Sequence, residues 1–108
     1  MKRIPLAKTF DIPPGQAKDA AWKGQRIIII NAGGGTFRAF YNVCTHSGGP
    51  TCLLGGVVLK CSHHGARFDP VTGEAKTGPA PMGSKLRSVP LEITDGVIYL
   101  IEEETHAI

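Results

Sequence analysis

Two short stretches, Cys44-Thr45-His46 and Cys61-Ser62-His63-His64-Gly65, constrain this chain more than anything else in it. Each places a thiol and an imidazole within a few residues of one another, and residues 47–60 separate the two. Sulfur and nitrogen donors of this kind form one metal site only if the fold brings both stretches together. The remaining sequence therefore has to supply a rigid frame from which two loops project side by side.

The local patterns supply strands and turns. Arg3–Phe10 has branched and aromatic residues without helical spacing, and it runs into the turn-rich Asp11-Ile-Pro-Pro-Gly15, so it reads as an edge strand followed by a loop. Gln16–Trp22 has room for one helical turn, which Gly24 ends. Gln25–Asn31, with the run Ile27–Ile30, is a buried strand; Gly33-Gly34-Gly35 is a tight turn; Thr36–Tyr41 is its return strand. That hairpin delivers the chain to Asn42-Val43-Cys44. The triple glycine also fits the start of a phosphate loop, but no helix with a Gly-Lys-Ser/Thr start follows it, and turn chemistry is the better reading.

Between the two stretches, Val57–Lys60 forms a short strand leading into Cys61. Ala66–Asp69 is a strand, Pro70-Val71-Thr72-Gly73 a turn, and Glu74–Lys76 its return. Gly78-Pro79-Ala80-Pro81 cannot pair inside a sheet, because its prolines lack amide donors, and it reads as a stiff surface loop. Leu86–Ile93 and Val97–Ile101 flank Thr94-Asp95-Gly96, the clearest hairpin signal in the chain. About eight or nine short strands without a long helix predict an all-β sandwich or barrel.

Composition agrees with one domain spanning 1–108, with its metal-binding part at about 42–82. A chain of 108 residues, 42% of them hydrophobic, can bury roughly two-thirds of its unfolded surface without disulfides. Three cysteines, an odd number, argue against a disulfide framework and for thiols used as ligands in a reducing compartment. The longest aliphatic run is far short of the roughly 20 residues that cross a bilayer, and Met1–Pro5 lacks the apolar region of a signal peptide, which predicts a soluble, cytoplasmic protein without a membrane role. Its twelve basic residues are scattered and its net charge is +3, which argues against a nucleic-acid face. Glu102-Glu103-Glu104 reads as a solvated terminal segment.

By spacing alone, iron and zinc both remain candidates. Structural zinc accepts two cysteines and two histidines, but its knuckles usually keep the cysteines together and the histidines together, and Cys-x-His is tight for one. His63 competes with His64, since Cys61-x-His63 mirrors Cys44-x-His46. Cys52 fits neither stretch and reads as a buried thiol acting as a small apolar side chain. Trp22 and Phe40 read as core residues, and His106 as a terminal residue without a role.

Taken together, Cys44-Thr-His46-Ser-Gly48-Gly-Pro50, Cys61-Ser-His-His64-Gly65-Ala-Arg-Phe68-Asp69, Thr72-Gly73 and the proline loop resemble the signature of Rieske [2Fe-2S] proteins. The chain is similar in length to the soluble ferredoxins that serve ring-hydroxylating oxygenases. The resemblance implies a Rieske-like antiparallel β sandwich or barrel with a small cluster-binding subdomain of two loops. It also implies one [2Fe-2S] cluster per chain, with Cys44 and Cys61 holding one iron and His46 and His64 the other. In the family the two imidazoles face the partner, and neutral imidazole in place of thiolate removes negative charge, which raises the potential relative to all-cysteine clusters.

High-potential Rieske proteins carry an extra cysteine in each loop and two hydroxyl groups against the cluster sulfurs. Here Gly49, His63, Ala66 and Phe68 stand at those positions, so the resemblance implies no disulfide and a potential below about 0 mV. The function it implies is a one-electron carrier and not an enzyme, working as a monomer that docks transiently between a flavin-dependent reductase and a terminal oxygenase. A small Rieske subunit of an assimilatory nitrite reductase is the alternative within electron transfer. A zinc-stabilised interaction module is the alternative of another class.

Overall fold

The isoleucine run is the middle of the molecule. In the computed structural model, which describes residues 2–42, 51–54, 58–61, 67–77 and 86–102, Ile27, Ile28, Ile29 and Ile30 are each at most 2% exposed. A run buried on both faces needs a layer on either side of its strand. The element order provides them: β1 Lys2–Lys8, β2 Ala17–Trp22, β3 Gln25–Gly33, β4 Thr36–Tyr41, β5 Thr51–Leu54, β6 Val58–Cys61, β7 Arg67–Phe68, β8 Ala75–Thr77, β9 Leu91–Thr94 and β10 Val97–Glu102. The described residues form three antiparallel sheets: a terminal sheet β1-β10-β9, a central sheet β2-β3-β4 and a distal sheet β5-β6-β7-β8. Among the described residues the only helical element is the 3₁₀ turn Thr9–Asp11, so the predicted all-β class holds.

Because side chains alternate along a strand, β3 divides its isoleucines between two cores. Ile27 and Ile29 pack with Ile12, Ala39, Val89, Ile98 and Leu100 against the terminal sheet. Ile28 and Ile30 pack with Phe40, Leu59, Phe68 and Leu86 against the distal sheet. The central sheet is thus the shared middle layer.

Among the described residues, three two-residue hairpin turns follow the local turn chemistry. Asp95 (φ 52°) and Gly96 (φ 75°) close β9 onto β10, and Gly34 (φ 62°) and Gly35 (φ 78°) close β3 onto β4, as predicted. The third was not predicted. Lys23 (φ 51°) and Gly24 (φ 75°) close β2 onto β3, so Ala17–Trp22 is a strand and not a helical turn. The reason is pairing: β3 pairs along the whole of Ala17–Trp22, and beyond the turn the Lys23 ammonium lies over the Trp22 ring at 4.5 Å and reaches Glu102 at 3.5 Å. Asn31 secures the preceding loop, donating from Nδ2 to the Ile12 carbonyl at 2.8 Å while its Oδ1 accepts from Gly33 N–H at 2.9 Å.

Two further differences concern strands. β5 was not predicted, since Thr51–Leu54 is recognisable only by its pairing with β6. The predicted strand Leu86–Ile93 is divided at Pro90, which has no amide to donate. Before the division Val89 N–H donates to Ala39 and Tyr41 N–H donates to Arg87, both along β4; after it β9 pairs with β10. The segment thus passes from the central to the terminal sheet. β1 is an edge strand as expected, tolerating Pro5, with a bulge between Pro5 and Ala7.

Truncating Ile29 to alanine should destabilise the protein by about 2–5 kcal/mol, because its fully buried site is closed by two sheets. Urea unfolding would show this as a lower midpoint at an unchanged slope. On the surface, Arg3 and Glu92 bridge the terminal sheet across Tyr99 at 2.7 Å. The Arg3 hydrogen bond holds the Glu92 carboxyl below its ordinary 4.5, with Arg3 charge and Thr94 assisting against partial desolvation. A folded pKa below the unfolded one stabilises above the unfolded value and is lost as pH falls through the folded one. Glu92→Gln should therefore be slightly less stable than the parent at neutral pH, and the gap should close on acidification below 4.5. A gap independent of pH would contradict this assignment.

Candidate metal centre

The ends of the distal strands show where the Cys/His stretches attach. Thr51 of β5 pairs with Cys61 of β6, Lys60 with Arg67 of β7, and Arg67 with Thr77 of β8. Segment 43–50 enters at Thr51, segment 62–66 runs from Cys61 to Arg67, and segment 78–85 leaves from Thr77. All three are therefore attached at one end of the same sheet. Cys44, His46, His63 and His64 lie outside the described residues, as do Gly49, Ala66 and the proline loop 78–81.

Cys61 is described as the last residue of β6, so the second stretch begins within the strand and not after it. The first has a comparable base. The β4 ladder continues past Tyr41 to Asn42, whose N–H donates to Arg26 at 2.8 Å, with only Val43 between Asn42 and Cys44. Asn42 is itself 3% exposed, so the chain is held firmly up to that point.

The distal sheet packs on a core drawn from the chain flanking each stretch. Phe40 precedes the first, Leu59 precedes Cys61, Phe68 follows His64, and Leu86 follows segment 78–85. Phe40 is thus a core residue, as expected. Phe68 is fully buried and carries no hydroxyl that could donate to a cluster sulfur. Cys52 lies in β5 opposite Lys60, one register step from the Thr51–Cys61 pair.

The turn after Phe68 is built by Asp69, whose Oδ1 accepts from Val71 N–H at 2.7 Å and Thr72 N–H at 3.1 Å. This fixes the exit of β7 as Pro70–Gly73 predicted. Arg67 is exposed at this sheet end, whereas Arg87 lies over the Tyr41 ring at 4.3 Å, in a hollow it shares with Trp22, Leu100 and Glu102.

Two thiols and two imidazoles carried on segments rooted at one sheet end suit a [2Fe-2S] cluster, whose Rieske form takes that donor set. Sequence reasoning missed the β5–β6 pairing that gives the stretches their common root, because its only signal is an unremarkable four-residue run.

Comparison with known proteins agrees with this geometry. The chain is 30% identical over 103 residues to the biphenyl dioxygenase ferredoxin subunit of Pseudomonas sp. (strain KKS102), covering 90% of this chain and 91% of that one. Its fold superimposes on the ferredoxin of carbazole 1,9a-dioxygenase from Nocardioides aromaticivorans IC177 with a TM-score of 0.79, covering 95% and 100% of the two chains at 18% identity. A structure described as the complex of reduced oxygenase and oxidized ferredoxin in carbazole 1,9a-dioxygenase gives a TM-score of 0.75, covering 91% of each chain at 24% identity. These two structural likenesses establish the fold. The Rieske [2Fe-2S] domain matches residues 2–90, and the hairpin beyond it is joined to the matched part through β1 and β10. With the donor set, the common sheet end and this match in agreement, the chain belongs to the Rieske [2Fe-2S] domain family.

Proposed function

We propose that residues 1–108 form a single carrier domain in which Cys44 and Cys61 hold one iron of the [2Fe-2S] cluster and His46 and His64 the other. The cluster accepts and releases one electron at a time. The chain's own part is positional: β6 presents Cys61, the β4 ladder carries the backbone to Asn42, and the core of Phe40, Leu59, Phe68 and Leu86 supports both. The observation that carries this reading is the rooting of both Cys/His stretches at one end of the distal sheet.

The electron then passes from a flavin-dependent reductase to a terminal oxygenase, in a cytoplasmic protein that docks transiently as a monomer. Support for the oxygenase comes from the relative's name and from the oxygenase–ferredoxin complex that shares the fold. The net charge of +3, with Arg67 exposed at the sheet end, favours an acidic partner surface. A dioxygenase ferredoxin subunit as the 30% relative favours this role over a nitrite reductase subunit. Family membership with a cluster-type donor set leaves the zinc module without support.

The ligand assignment is tested by substitution in the iron-loaded protein. His64→Ala and Cys61→Ala should lose iron and acid-labile sulfide, whereas His63→Ala should keep both; the reverse outcome for the two histidines would reassign the ligand.

The low potential is tested at Phe68. Hydrogen bonds to cluster sulfur stabilise the reduced, more negative state, and Phe68 has no hydroxyl to offer. The parent midpoint should lie below about 0 mV. Phe68→Tyr should raise it by roughly 20–65 mV, the one-electron equivalent of a hydrogen bond of about 0.5–1.5 kcal/mol. A film-voltammetry midpoint that stays put or falls in the variant would show that this position does not tune the cluster.

A further inference from the structure

Glycine at position 73 is required for space as well as for backbone conformation. Its φ is +77°, and a Cβ built on it would lie 2.8 Å from Phe40 Cε1, 3.2 Å from Phe40 Cδ1 and 3.0 Å from the Leu86 carbonyl oxygen. The other described glycines at positive φ have nothing nearer than the 3.6 Å from Gly96 to Thr9 Oγ1. Neither neighbour of Gly73 gives way easily. Phe40 is 1% exposed in a close-packed core, and the Leu86 oxygen belongs to the backbone.

The contact also joins the chain ends that frame the Cys/His stretches. Phe40 lies in β4, which leads into segment 43–50; Leu86 is where the chain returns from segment 78–85. The Gly73 turn connects β7, which follows segment 62–66, to β8, which precedes segment 78–85. Hydrogen bonds hold the junction: Gly73 N–H donates to the Asp69 carbonyl at 2.7 Å, and the Gly73 carbonyl accepts from Leu86 N–H at 2.8 Å. Gly73 lies four residues before Thr77, where β8 ends and segment 78–85 begins, a span of at most about 13 Å along the chain.

We infer that Gly73 is a positioning residue of the metal centre: its missing side chain sets the separation of Phe40 and Leu86, and through them the relative placement of the segments that carry the ligands. This rests on the ligand reading above. A methyl group here forces the two apart by a few tenths of an ångström or more, and a strained ligand frame alters the cluster's electronic environment.

The test is the iron-loaded Gly73→Ala protein, with Gly34→Ala as the control for strain at positive φ without crowding. Gly73→Ala is expected to retain iron and acid-labile sulfide but to shift the midpoint potential and the g-values of the reduced protein's EPR spectrum, while Gly34→Ala changes neither. Because the crowding is mainly against Phe40, the shift caused by Gly73→Ala should be at most half as large in a Phe40→Leu background. Unchanged midpoint and spectrum in Gly73→Ala, an equal shift in Gly34→Ala, or an undiminished shift in the Phe40→Leu background would each overturn the inference. Should Gly73→Ala fail to fold, recovery of loaded protein in the double variant supports it and continued failure overturns it. Absence of iron and sulfide from the parent protein would instead refute the cluster reading itself.

Discussion

The packing of β3 between two layers is the constraint on which the rest of the structure depends. Four consecutive isoleucines on a pleated strand necessarily point alternately to opposite faces, so neither face can be left to water. Burying one such side chain contributes about 1.5–3 kcal/mol, a large part of the margin by which a small domain is stable. The terminal sheet satisfies one face and the distal sheet the other. The distal sheet is thereby fastened to the body of the protein by Ile28 and Ile30 through Phe40, Leu59, Phe68 and Leu86.

That arrangement separates two tasks. The terminal and central sheets supply stability through long ladders and hairpins, while the distal sheet has short strands and gathers the attachment points of the Cys/His stretches at one end. An electron carrier benefits from such a division, because a preorganised ligand frame has little to rearrange when charge changes. The same end carries the exposed Arg67.

Much of the architecture was legible in the sequence, and the misreadings have physical causes. The Asp95-Gly96 and triple-glycine turns were found because positive φ is a local demand that few residues meet. Gln16–Trp22 has room for a helical turn, but pairing of Ala17–Trp22 with β3 overrides so weak a local preference. Leu86–Ile93 looked like one strand because its apolar residues are continuous, yet Pro90 and the competition of two sheets divide it. β5 was missed because four ordinary residues become a strand only when β6 lies beside them.

By itself the sequence determined the donor types, their grouping into two Cys/His stretches and the positions of the tight turns, since each depends on residues adjacent in the chain. It also determined that a strand of isoleucines must be covered twice. Which layers cover it, that Thr51 meets Cys61 and so roots both stretches at one end, and that Gly73 leaves room for Phe40 beside Leu86 were decided only by the tertiary structure. Those contacts join residues distant in sequence, and their energy exists only once the sheets have come together.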